Sequence, residues 1–270
     1  MSEPEPTSKS KPKLAIMRPV SYTGESVKLA ESLGFETIAV PMIEIVDKVD
    51  SGFDDFVKRV ISGESDYVIF TSANGIDFTL RKISGENKEP FIDALKRTNV
   101  VAIGPNTQKA LQKLGIDDPG MPDVYSSAGL IEYLCPDAMG KTIDIARSSY
   151  GAPILISGLE ECGASVFETQ VYTLGMLDGD EQKRLIELAV SGKISVFAFT
   201  SSMMVRNFFA NADAIGVGKQ IVDVLNNSTV AAIGIPTADT LNIYGVEVEV
   251  IPDRYTFEAL INKVKEHISN

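Results

Sequence analysis

The chain has 270 residues, 44% of them hydrophobic, and carries 25 Lys and Arg against 37 Asp and Glu, a formal net charge of −12. That length and apolar content suit roughly two domains with a core each, and no run nears the ~20 consecutive apolar residues of a membrane span. The negative field opposes nonspecific binding to nucleic acid, and at long range it opposes an anionic metabolite too, so such a ligand must be held by local donors.

Residues 1–12, rich in Pro, Ser, Glu and Lys, read as a disordered tail without the apolar core of a secretory signal, which implies a cytoplasmic protein. Leu14 to Met17 reads as a first strand. Phe53, Phe56, Val57, Val60 and Ile61 follow helical spacing and stop at Gly63. Tyr67 to Phe70 is a strand running into FTSANG, and Val100 to Ile103 is a strand running into AIGPNT. The helix Gln108 to Leu114 stops at Gly115. Ile143 to Ala146, Val196 to Phe199 before FTSSMM, and Thr229 to Ile233 before AIGIPT continue the alternation. The helix Ala238 to Tyr244 stops at Gly245, and Val246 to Ile251 closes the series as a strand. Several strands are apolar without alternation, as expected where helices cover both faces of a parallel sheet. The class is α/β, three-layered and flavodoxin-like.

The two halves repeat one another. A shift of 129 residues carries Arg18 onto Arg147, Gly34 onto Gly163, Gly63 onto Gly192, and Phe70-Thr71-Ser72 onto Phe199-Thr200-Ser201. A shift of 130 carries Gly104, Thr107, Leu111 and Gly115 onto Gly234, Thr237, Leu241 and Gly245. So long a period excludes a solenoid and predicts two similar domains.

Four strand-to-helix junctions, FTSANG with FTSSMM and AIGPNT with AIGIPT, place backbone N–H groups and short hydroxyls at helix starts along the carboxyl edge of a parallel sheet, where such folds bind ligands. Taken singly, Thr71, Ser72, Thr107, Thr200, Ser201 and Thr237 are equally well read as helix caps. Their recurrence in matched pairs favours carboxylate or phosphate binding. Neither loop is a nucleotide-binding sequence. Arg18 and Arg147 end the matched first strands, where an arginine can hold a carboxylate bidentately or simply lie on the surface. Cys135 and Cys162 are the only cysteines and His267 the only histidine. They are too few for a Cys/His zinc site, a His-activated nucleophile or a disulfide framework. No metal or cofactor is expected. Both cysteines read as small buried hydrophobes of a reducing cytosol, and His267 as part of a solvated helix face.

FTSANGI, VAIGPNTQKAL, SSAGLIEYL, FTSSMMVRNFF, AAIGIPTADTL and YTFEALINKV, in that order, resemble the uroporphyrinogen-III synthase family over nearly all of Lys13 to Ile268. The resemblance implies two similar flavodoxin-like domains, each a parallel sheet flanked by helices, joined by a two-stranded linker. One domain would be discontinuous, 13–41 plus 176–270; the other would be 46–171, with linkers at 42–45 and 172–175. The implied substrate is hydroxymethylbilane, a linear tetrapyrrole with eight carboxylates. Loss of its hydroxyl as water gives an azafulvene, and attack through the substituted carbon of the last ring gives a spiro intermediate. Rearrangement then yields uroporphyrinogen III with ring D inverted, by a cofactor-free lyase working as a monomer. Tyr172 matches a cleft-facing tyrosine that could protonate the departing hydroxyl; the alternative is a half-buried strand tyrosine. Arg18, Thr71, Ser72, Asn74, Gly104, Thr107, Ser126, Ser127, Arg147, Thr200, Ser201, Ser202, Thr237 and Thr256 are the implied substrate-binding residues. The sequence departs from the family pattern at Pro236, one place later than Pro105 of the first half, and at Met203-Met204, which replace Asn74-Gly75. The stretch after Arg147 also lacks further arginines. A non-catalytic two-domain binding or sensor protein for an anionic metabolite, and a nucleotide-dependent transferase, are the competing readings.

Overall fold

A computed structural model describes residues 11–269; all but the last two positions of the expected tail, 1–12, lie outside the described residues. The chain opens with β1 (Lys13–Ile16), α1 (Val20–Ser32), β2 (Glu36–Ala39), β3 (Ile43–Asp47) and α2 (Phe53–Ser62). There follow β4 (Tyr67–Phe70), α3 (Ala73–Lys82), α4 (Gly85–Leu95), β5 (Asn99–Ala102), α5 (Pro105–Gln112) and α6 (Ser127–Leu134). The second half runs β6 (Thr142–Ser148), α7 (Ile154–Glu161), β7 (Ser165–Met176), α8 (Asp180–Val190), β8 (Val196–Phe199) and α9 (Ser202–Ala214). It closes with α10 (Gly218–Asn226), β9 (Thr229–Ala232), α11 (Ile235–Ile243) and α12 (Phe257–Ser269).

Local chemistry accounts for these elements. All four residues of β8 are buried, as are three of four in β1, β4 and β9, which is the pattern of strands covered on both faces. Helix α2 turns Phe56, Val57 and Val60 inward and ends on Gly63 at φ 79°; after its counterpart α8, Gly192 sits at φ 69°. That left-handed conformation costs an L-residue a Cβ clash and costs glycine none.

The chain forms two compact units, one running up to Glu44 and from Gly175 onward, the other Ile45–Leu174, so both boundaries fall inside strands β3 and β7. The first unit has a sheet in the order β2-β1-β8-β9, extended by a bridge from Ala231 to Val250. The second has β3-β7-β6-β4-β5, extended by a bridge from Val101 to Gly120. Under the duplication β1 matches β6, β2 the start of β7, β4 matches β8 and β5 matches β9. Each unit therefore reproduces the flavodoxin-like order 2-1-3-4-5 using strands from both repeats, and the second adds β3 outside β7. The strand expected at Val246 to Ile251 contracts to the bridge at Val250, because it lies at a sheet edge with one neighbour and is bounded by Pro252.

Successive strand residues point to opposite faces. In the second unit Phe70 joins Phe56, Val60 and Phe91 on one side, while Ile69 joins Leu130, Ile145 and Leu155 on the other. In the first, Leu14, Ile16 and Val196 pack against Leu260, Ile261 and Val264 of α12. The aromatic cluster of Phe197 and Phe199 against Phe208 is edge-to-face, with centroids 5.5–6.0 Å apart.

The cysteines are neither free nor both buried. Cys135 and Cys162 are joined as a disulfide, with Cα atoms 5.3 Å apart, and Cys135 is exposed. Helices α6 and α7 pack on the same face of β6 and end side by side, which brings together residues 27 apart in sequence. His267 is exposed, and its Nε2 lies 3.3 Å from a Glu249 carboxylate oxygen.

Candidate active site

In the second unit the turn from β4 into α3 is organised by Ser72. This residue is extended, and its Oγ caps α3 by accepting the Gly75 N–H at 3.0 Å. The same oxygen lies 3.0 Å from the Tyr172 hydroxyl, from a residue 100 positions away. Tyr172 stands opposite Ser148, just beyond a register shift at Arg147/Ser148; such bulges re-aim side chains beside functional sites. Its ring stacks on Phe78 with centroids 5.5 Å apart, leaving the residue 8% exposed. A Cβ on Gly75 would lie 3.1 Å from the Ala146 carbonyl oxygen, so glycine lets the first turn of α3 lie close to β6. Thr71 and Asn74 flank this turn, both partly buried.

The other junctions repeat the arrangement. Ser126 caps α6 through the Gly129 N–H (3.1 Å), with Ser127 as first helical residue. Ser201 caps α9 through the Met204 N–H (3.2 Å), and Thr256 accepts the Ala259 N–H at 3.2 Å. Thr200 precedes Ser201, and Ser202 donates to the Pro236 carbonyl at 2.8 Å, tying the start of α9 to that of α11. Gly104 and Gly234 are the extended N-caps of α5 and α11. Both helices take a proline in their first turn, so the one-place shift to Pro236 leaves the helix start intact. Thr107 and Thr237 are buried in those first turns. The hydroxyls at Ser72, Ser126, Ser201 and Thr256 are thus helix caps, and the remaining first-turn N–H groups supply the partial positive charge of each edge.

The two arginines hold their own units together. Arg18 donates to the Ser26 hydroxyl (2.8 Å) and lies over the rings of Tyr22 and Phe257, 4.9 and 4.7 Å from their centroids, while burial pushes its guanidinium pKa down. Arg147, expected at the surface or on a ligand, is 3% exposed in its side chain. Its Nε pairs with Glu168 and one terminal nitrogen donates to the Ala152 carbonyl at 2.9 Å. It closes the turn after β6, with its charge offset by Glu168.

The sequence profile described as "Uroporphyrinogen-III synthase HemD" matches residues 24–262. The chain belongs to the uroporphyrinogen-III synthase family. A protein of Methanothermobacter thermautotrophicus, provisionally named for the same enzyme, is 30% identical over 92% of this chain and 95% of its own length. The uroporphyrinogen-III synthase of Chlorobaculum parvum is 26% identical over 93% and 97%. Among solved structures, a mutant uroporphyrinogen III synthase of Thermus thermophilus shares the fold with a TM-score of 0.64 at 20% identity, covering 96% of this chain and 99% of that one. Among the described residues of this uroporphyrinogen-III synthase family chain, no helix is long and apolar enough to cross a membrane.

Sequence reasoning passed over two tyrosines at these edges. Tyr125 and Tyr255, 56% and 66% exposed, precede the caps Ser126 and Thr256. A Cβ on Gly104 would lie 3.3 Å from the Tyr125 ring, and one on Gly234 would lie 3.2 Å from the Tyr255 ring. A side chain at either cap would press on the ring that covers it. The signal was present in the 130-residue shift, which superposes Pro122-Asp123-Val124-Tyr125 on Pro252-Asp253-Arg254-Tyr255.

Proposed function

We propose that this chain is a uroporphyrinogen-III synthase, converting hydroxymethylbilane to uroporphyrinogen III in tetrapyrrole biosynthesis. The observation that carries the reading is the file of three groups Gly75 N–H, Ser72 Oγ and Tyr172 Oη at the carboxyl edge of the second unit. With Ser72 accepting from the amide and donating to the phenol oxygen, the phenol hydrogen is left for the hydroxyl that departs as water. Hydrogen bonds in series polarise one another, which favours that donation. In each unit taken by itself, first-turn N–H groups at the carboxyl edge, those of α3, α5 and α6 in one and of α9, α11 and α12 in the other, suit carboxylates of the substrate. Holding a flexible chain so that the substituted carbon of its last ring attacks is the larger part of the catalysis, since orientation is where such intramolecular closures gain their rate.

The same reading makes the protein a cytoplasmic monomer that needs no nucleic acid partner. A duplicated chain supplies both ligand edges itself, and the net charge of −12 disfavours polyanionic polymers. The test supplies hydroxymethylbilane from a coupled reaction and separates the product isomers. Type III product is expected. Type I alone, at the rate of unassisted closure, refutes the proposal, and tight binding of the tetrapyrrole without turnover points to a non-catalytic binding protein.

A further inference from the structure

The carboxyl edges of both sheets expose apolar side chains beside their polar loops. Val20, Ile154 and Ile235, the first residues of α1, α7 and α11, are 72%, 56% and 52% exposed, and Tyr150 in the turn after β6 is 57% exposed. First-turn N–H groups alone would suit any small anion. Large water-exposed apolar groups around them suit a ligand with both a flat apolar body and carboxylate arms.

The matched pair Tyr125 and Tyr255 is the most specific part of this surface. Each ring lies against a glycine N-cap, with Tyr125 at Gly104 and Tyr255 at Gly234, and more than half of each residue remains open to water. An exposed tyrosine gains little from burial, and between the two halves its neighbour has diverged from Val124 to Arg254 while the tyrosine has not. Core packing therefore does not account for a ring retained at both places. A ring anchored by its covered part and offering the rest to solvent, beside hydrogen-bond donors, is a stacking surface.

We infer that Tyr125 and Tyr255 are positioning residues, each offering its face, within its own unit, to a pyrrole ring whose carboxylate arms are held by the adjoining helix starts. This rests on the tetrapyrrole reading above and adds to it which residues grip the rings. The aromatic face, and not the hydroxyl, is the working part.

The probe is uroporphyrin III, the stable oxidised macrocycle, titrated by fluorescence into the full chain and into variants at each position. Tyr125→Ala and Tyr255→Ala should each weaken binding about 3- to 10-fold. Tyr→Phe should bind as the parent does. Tyr→Leu, which keeps an apolar cover on the glycine, should lose as much as Ala, and this separates stacking from support of the loop. With hydroxymethylbilane, Tyr→Ala should raise KM more than it lowers kcat. Parent-like binding by both alanine variants, or equal loss in Phe and Ala, overturns the stacking role while leaving the enzyme assignment standing. A parent chain that neither binds uroporphyrin III nor forms the type III isomer overturns both.

Discussion

At the scale of single residues, Ser72 shows why one side chain resists a single label. Its oxygen caps α3 and touches the Tyr172 hydroxyl at the same time. Ser72→Ala should therefore cost about 1 kcal/mol of stability as a lost cap and also slow turnover by loosening the phenol. Tyr172→Phe keeps the ring on Phe78 and removes only the donor. It should leave the melting temperature nearly unchanged and lower kcat by about two to four orders of magnitude where proton transfer limits the rate. Type III product should still form. Full activity in Tyr172→Phe would return this residue to a packing role; greater loss in Ser72→Ala than in Tyr172→Phe would move the acid elsewhere. The capping roles of Ser72 and Ser201 were legible in sequence because a cap is a contact three residues long. The engagement of Arg147 with Glu168 was not, since it depends on which strand lies beside β6.

At the scale of elements, helix starts and their staples set stability. Gly129 in the first turn of α6 has no room for a side chain, because a Cβ there would lie 2.0 Å from the Val124 carbonyl oxygen. Gly129→Ala should cost about 3 kcal/mol and lower Tm by on the order of 10 °C in a thermal melt. Gly85→Ala, at the open start of α4 where nothing lies within 4 Å, should be neutral or slightly stabilising. The converse ranking would show that the α6 turn relaxes freely. The Cys135–Cys162 bridge staples the ends of α6 and α7 across 27 residues. A loop of that length contributes roughly 3–4 kcal/mol in the chain-entropy account, so reduction should lower the urea midpoint markedly, and Cys135→Ser in air should match the reduced parent. Coincident midpoints with and without reductant would show that the bridge stabilises nothing. Periodicity and glycine stops made α2, α5 and α11 legible. Val246 to Ile251 looks like a strand locally, and only its edge position limits it to a single bridge.

At the scale of the whole molecule, a net charge of −12 would face the proposed ligand with its eight carboxylates, and the two arginines expected to meet it are engaged within their own units. Binding through backbone N–H groups against an adverse field has a definite salt signature. Raising ionic strength from about 0.01 to 0.1 M shortens the screening length from about 30 to 10 Å, so affinity for uroporphyrin III and its association rate should rise. A fall in affinity with salt would mean that local Lys or Arg charges dominate instead.

Composition, apolar patterning and caps determined the α/β class, most strands and the four strand-to-helix junctions, because each depends on residues within a few positions of one another, and the duplication was legible because it needs only a comparison of the sequence with itself. The tertiary structure alone decided that Ser72 meets Tyr172, that Cys135 meets Cys162, that Arg147 is paired inward, and that the rings of Tyr125 and Tyr255 cover Gly104 and Gly234. Each of these contacts follows from strand order and register or from helix packing. A chain in which every sheet draws its strands from both repeats carries that information in no single stretch.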